Sequence, residues 1–268
     1  MYLVDSHCHL DWDSFDGERE VVLERAASAG VGLVLNPGTD LARSRRALEL
    51  AERFEAVYAA VGIHPNDAGE WNGSAADELR DLAAHPKVLA IGEIGLDYYW
   101  DKTTLELQAE VFRAQLVLAA QLELPVIIHN REAGKDVMAI LAEWQQTLAD
   151  DESPLAERPG VLHSFSVDKA MAESAIEHNF YIGITGPVTF KNAPELQALV
   201  TELPLDQLLI ETDSPFLTPH PHRGQRNEPA YVALVAEKIA ELKGIAIEAV
   251  AAATTANVRD LFRVGVPV

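Results

Sequence analysis

Eight apolar runs of strand length recur along the chain and close at or near His9, Asn36, Ile63, Glu93, His129, His163, Ile184 and Glu211. β-Branched residues are frequent in them, as in VGLVLN, PVIIH and LLIET, which is the composition of buried strands. Between the runs lie segments of helical period with one charged face, among them EREVVLERAASAG, LARSRRALELAERF, TLELQAEVFRAQLVLAAQLEL, GKDVMAILAEWQQTLA and DKAMAESAIEHN. Continuous buried strands that alternate with helices imply a parallel sheet with helices over it. The count of eight favours an α/β fold of the (β/α)8 TIM-barrel type over an open doubly wound sheet, with residues 1–268 as a single domain.

A chain of 268 residues, 48% of them hydrophobic, is large enough to bury such a core without a second domain. The first residues, MYLVDSHCHL, have no basic segment followed by a signal-type apolar stretch, and no run of 18 apolar residues occurs elsewhere. A cytoplasmic location, no membrane contact and no obligate protein partner are the expectation. Cys8, the single cysteine, has no internal disulfide partner, and strand alternation turns it away from the face that holds His7 and His9. The formal net charge of -21 argues against broad attraction to nucleic acid or to an anionic membrane, so an anionic substrate has to be drawn in locally. No basic stripe, finger-type zinc spacing or helix-turn-helix pattern is present.

The polar residues that close the runs are metal-ligand types, and a barrel gathers the ends of its strands at one rim. His7 and His9, two apart on an extended segment, face the same side and can reach one ion together. Glu93 closes an apolar run where an ionised carboxylate needs a partner, either a metal ion or an arginine at the barrel rim. His129, His163 and Asp213 follow the fifth, sixth and eighth runs. A lone histidine of this kind is ordinarily a hydrogen-bonded core residue; five strands delivering such groups to one end point to a dinuclear metal site.

The fragments DSHCHLD, GIHP, GEIGLDYY, PVIIHNRE, HSF and ETDSPFLTP, in this order and over nearly the whole chain, resemble the TatD family of metal-dependent nucleases within the amidohydrolase-like barrels. The resemblance implies one ion held by His7, His9, Glu93 and Asp213 and a second held by Glu93, His129 and His163, with Glu93 shared. The resemblance implies two divalent ions, with Mg, Mn and Zn all open: imidazole suits zinc, manganese or iron, whereas the family's nuclease activity is described as magnesium-dependent. It further implies a deoxyribonuclease that trims single-stranded ends from the 3′ side, using a hydroxide between the two ions, with DNA as substrate and RNA left open. Asp213 is then the group that orients the attacking water and accepts its proton, and Glu93 is the second catalytic carboxylate. The alternative is an ester or amide hydrolase acting on misaminoacylated tRNA or on a small amidohydrolase-type substrate.

His64, in VGIHPND, is assigned by the same resemblance to a substrate phosphate; otherwise it is an ordinary loop histidine. Arg131, two positions after His129, and Arg223, in the PHPHRG loop, are candidates for phosphate oxygens. Lys191 and Arg226 are weaker candidates, and His220 and His222 read as solvated loop residues. The cluster Asp97, Tyr98, Tyr99 and Trp100 offers rings for stacking on a terminal base, with Tyr98 placed among the substrate contacts, or else forms a packing patch at the rim.

Overall fold

A computed structural model describes residues 1–166 and 169–265. The strands are β1 (Leu3–Asp5), β2 (Val31–Pro37), β3 (Val57–Val61), β4 (Val88–Asp97), β5 (Val126–Arg131), β6 (Gly160–Leu162), β7 (Tyr181–Ile184) and β8 (Leu208–Ile210). The α-helices are α1 (Arg19–Ser28), α2 (Leu41–Arg53), α3 (Gly73–Ala83), α4 (Leu105–Leu122), α5 (Gly134–Asp150), α6 (Lys169–Glu177), α7 (Pro194–Glu202), α8 (Val232–Lys243) and α9 (Ile247–Phe262). Strand order in the sheet is β1 to β8 in chain order, and every strand pair described is parallel, so the chain has the (β/α)8 barrel fold. The segment DKAMAESAIEHN forms α6 from Lys169 onward; its first residue, Asp168, lies outside the described residues. Among the described residues no helix is long and apolar enough to cross a membrane.

The chain divides into two compact units, one of Met1–Asn36, Ser164–Lys169 and Ile182–Val268, the other of Pro37–His163 and Ala170–Tyr181. In the first unit the last strand returns to the first: Ser6 N–H donates to Ile210 O at 3.1 Å, Asp213 N–H to His7 O at 2.9 Å and His9 N–H to Ser214 O at 2.8 Å. β1 itself stops at Asp5, so His7 and His9 lie just past it, held extended by these bonds and by Cys8 N–H on Leu35 O. Helix α9 covers this face with buried Val250, Val258, Leu261 and Phe262, and its Asn257 amide donates to Leu205 O and Leu208 O. The long connection after β8 is closed by Asn227, whose amide nitrogen reaches Thr212 O at 2.8 Å and Phe216 O at 2.6 Å. On its far side Arg25 makes a forked pair with Glu228, at 2.9 and 2.6 Å.

In the second unit β4 differs from the sequence reading: it does not stop at Glu93 but runs on to Asp97. The cause is its glycines. A Cβ on Gly92 would sit 2.6 Å from Ile127 Cβ, and one on Gly95, at φ +143°, would sit 2.0 Å from His129 O. Only a residue without a side chain lets β4 approach β5 this closely. The ladder shifts register between Ile91 and Ile94 and then pairs Gly95 with His129 and Asp97 with Arg131. Such a shift re-aims the side chain it contains, here Glu93. The acidic connection between α5 and β6 contains a 3-10 turn over Pro154–Glu157 whose Leu155 is buried.

Candidate metal centre

The first unit brings His7, His9 and Asp213 together. Their ligand atoms converge: His7 Nε2 and His9 Nε2 are 3.2 Å apart, and Asp213 Oδ1 lies 3.9 Å from the first and 3.5 Å from the second. Donors about 2.0–2.1 Å from a tetrahedral ion are separated by about 3.3 Å, so this triangle fits one divalent cation. The two rings meet edge to face at 79°. Asp213 sits at φ +56°, a backbone conformation that Asp adopts more readily than most residues. Cys8, between the two histidines, is buried in the core as its alternation implied, and burial holds its thiol well above the ordinary range.

Two further carboxyls of the first unit stand behind this cluster. Glu211, fully buried, accepts Ser164 N–H at 3.0 Å, and its ligand atom lies within 4.8 Å of His7. Glu211 had the same signal as Glu93, an acid closing an apolar run, yet the sequence reading assigned it no role. Asp5 is also fully buried and accepts from Thr212 N–H at 2.8 Å and Thr212 Oγ–H at 2.6 Å. Burial pushes its carboxyl up to about 8, against the lowering effect of the Thr212 and His7 hydrogen bonds. Its role is to fix Thr212 beside Asp213.

The second unit gathers His64, Glu93 and His129. Glu93, 3% exposed, is anchored by its own N–H on Gly38 O at 2.9 Å. Its Oε1 lies 2.8 Å from His129 Nδ1 and 4.0 Å from His64 Nε2. The other nitrogen of His129, Nε2, faces Asp97 Oδ2 at 3.0 Å. A ring that gives Nε2–H to a carboxylate keeps Nδ1 as the metal-binding atom, the arrangement that orients most histidine ligands. His163 follows β6, is 7% exposed, and is positioned by its N–H on Ile128 O at 3.0 Å.

His64 was expected near this group without being a ligand. Asn66 N–H donates to its Nδ1 at 3.1 Å, so a neutral ring carries its proton on Nε2. That makes Nε2–H a donor aimed toward Glu93, suited to an anion rather than to a cation. Asp97 is the residue the sequence reading undervalued. Its Oδ2 takes His129 Nε2–H and the Asn66 amide, its Oδ1 takes the N–H groups of Tyr99 and Trp100, and its backbone is clasped by Gln108 through Oε1 and Nε2. Burial works to raise its carboxyl, but these bonds, that from His129 foremost, outweigh it and lower the carboxyl to about 2. Replacing Asp97 by asparagine keeps an oxygen for the loop N–H groups but removes the charge behind His129. Metal affinity at this cluster is expected to fall about 10–100-fold, measured by competition with a chelating dye; an unchanged affinity would discard the orienting role.

Burial works against a charge on His129, but its hydrogen bonds to Asp97 and Glu93 outweigh this and raise it to about 9. A cation at Nδ1 therefore displaces a proton. Apparent affinity should climb about tenfold per pH unit toward pH 9 and level off above it, read by titrating metal at fixed pH values; a flat profile would contradict it. Without metal, the stabilising share of His129 is fully present below 6.5 and is lost as pH rises through about 9. The share of Asp97 is present above 3.8 and is lost as pH falls through about 2.

The other substrate candidates lie outside these clusters. Tyr98 is tied down, its hydroxyl donating to Asp136 at 2.8 Å, and burial with that carboxylate raises it to about 12. Arg131 lies over the Tyr99 ring at 3.9 Å, and Arg223 over Phe190 at 4.0 Å. Arg226 is engaged by Glu18 and by Ser14 O, Lys191 is exposed, and His222 stacks on Tyr231 at 4.4 Å.

A family model described as TatD related DNase matches residues 4–263. The chain is 45% identical over 262 residues to an uncharacterized metal-dependent hydrolase, YabD, of Bacillus subtilis, covering 98% of this chain and 99% of that one. It is 36% identical over 269 residues to a protein of Salmonella typhimurium named 3'-5' ssDNA/RNA exonuclease TatD, covering 98% and 99%. The crystal structure of YJJV, a TatD homolog from Escherichia coli K12, superimposes with a TM-score of 0.90 at 34% identity, covering 98% of each chain.

Proposed function

The chain belongs to the TatD-related DNase family of metal-dependent hydrolases, and from that premise we propose that it is a nuclease that shortens single-stranded DNA, or RNA, from the 3′ end. The observation that carries the reading is the convergence of His7 Nε2, His9 Nε2 and Asp213 Oδ1 within 3.9 Å of one another, a donor triangle sized for a divalent ion. We assign one ion to His7, His9 and Asp213, with Glu211 beside them, and a second to Glu93, His129 and His163. Bound divalent ions supply Lewis acidity toward phosphoryl oxygens and make water a stronger acid. The rest is done by side chains. Asp213 orients the attacking water and accepts its proton. His64 donates Nε2–H to a phosphate oxygen, while Arg131 and Arg223 offer positive charge to it.

The imidazole-rich donor set favours zinc or manganese over magnesium, which prefers oxygen and keeps its waters. The test is hydrolysis of a 5′-labelled single-stranded oligonucleotide by protein reconstituted with magnesium, manganese or zinc. A ladder shortening from the 3′ end supports the assignment. Protein carrying two ions that leaves the strand intact, yet frees an amino acid from misaminoacylated RNA, would replace it with ester hydrolysis.

A further inference from the structure

The loop after β4 exposes two large rings that packing does not explain. Tyr99 is 51% and Trp100 49% exposed, and they meet edge to face at 4.9 Å and 90°. A rim packing patch would bury such rings. The loop is nevertheless rigidly held, since Asp97 Oδ1 accepts the N–H groups of both residues at 3.0 and 3.1 Å and the Tyr98 hydroxyl is fixed on Asp136. Rings kept in place and left open lose little entropy when a ligand settles on them.

Arg131 is the second observation. In a chain with 42 acidic and 21 basic side chains, its guanidinium makes no ion pair or hydrogen bond among the described residues. It lies instead over Tyr99 at 3.9 Å and within 5.7 Å of the Trp100 ring centre. A cation parked on an aromatic face beside an open ring is matched to a ligand that is flat, aromatic and anionic along one edge. Strand register supplies the location. Arg131 pairs with Asp97 across β4 and β5, and His129 is two residues before it on β5, a separation of about 7 Å along the strand. That is the reach of a single nucleotide.

We propose that Trp100, braced by Tyr99 and Arg131, is a stacking seat for the unpaired nucleobase next to the phosphodiester being cut, with Arg131 holding the phosphate of that nucleotide. The inference rests on the nuclease reading and gives it a specificity: substrates whose terminal base is unpaired, of any identity, because stacking reads a ring face and not its hydrogen-bonding edge. It also moves the aromatic contact from Tyr98, whose hydroxyl is occupied, to the next two residues.

The test compares two phosphorothioate-linked single strands, one with an intact terminal nucleotide and one abasic there, bound to the metal-reconstituted protein and followed by fluorescence anisotropy. The wild-type protein should bind the intact strand about tenfold more tightly or better. Trp100→Ala should bring the ratio close to one, and Trp100→Phe should restore most of it, which a merely structural role would not do. A wild-type ratio near one, or a ratio unchanged by Trp100→Ala, overturns the seat. Cleavage of an ordinary oligonucleotide by the wild-type protein is scored separately, so a failed seat and a failed nuclease reading give different results.

Discussion

Glu93→Ala is expected to lower kcat/KM by about three orders of magnitude or more, because a bound metal ion contributes several kcal/mol to the transition state and each 1.4 kcal/mol is a factor of ten. The side chain is almost wholly buried, its backbone is pinned to Gly38 O, and its carboxylate is the closest acid to His129 Nδ1. Alanine leaves no anion in its place, and Asp97 is already committed to Nε2 of the same ring and to two backbone N–H groups. Metal content by mass spectrometry should fall together with activity, while the melting curve shows the variant still folded. Loss of both ions would make Glu93 a shared ligand, and loss of one would confine it to the His129 cluster. A folded variant that keeps its metal and a tenth of its activity would end the assignment.

What the sequence made legible follows from what period and position can encode. Buried β-branched runs announce strands whatever the tertiary setting, and the residues that close them mark the rim, so His7, His9, Glu93, His129, His163 and Asp213 were all visible as candidates. The runs also encoded Cys8 as core, through simple alternation. Less legible was anything set by a close approach of backbones. Gly92 and Gly95 let β4 press against β5 and carry the strand four residues past Glu93, which the apolar pattern alone does not encode. Side chains that satisfy backbone groups across the fold were invisible for the same reason. Gln108 and Gln115 lie on the buried face of α4, and only contact shows that the first clasps Asp97 and the second pairs with both backbone groups of Ile63. The protonation pattern of His64 depends on Asn66 N–H, two residues away but decided by the turn between them.

Asp97 shows how ligation and substrate contact are joined in one residue. One carboxylate oxygen aligns His129; the other freezes the backbone that presents Tyr99 and Trp100. A shift of the loop therefore shifts the ring that faces Glu93. Asp97→Asn separates the two tasks, since the amide oxygen serves the loop but carries no charge for the imidazole.

Asp213→Asn is expected to reduce kcat about 10²–10⁴-fold, the usual contribution of a positioned general base. The backbone argues that the variant folds. Asp213 holds φ +56°, its N–H donates to His7 O at 2.9 Å and its carbonyl accepts Phe216 N–H at 2.8 Å, all of which asparagine reproduces, as one of the residues most tolerant of that conformation. The amide also keeps an oxygen near His9 Nε2, now 3.5 Å from Oδ1, so His7, His9 and position 213 still present three ligand atoms. What it lacks is a lone pair basic enough to take a proton from water. Loss of activity has two possible origins here, and excess metal separates them. If Asp213 acts mainly as a ligand, raising metal concentration restores turnover toward the wild-type value. If it is the base, turnover stays low at saturating metal. Near-normal turnover in a metal-loaded Asp213→Asn protein would leave the proton without an acceptor and would remove Asp213 from the chemistry.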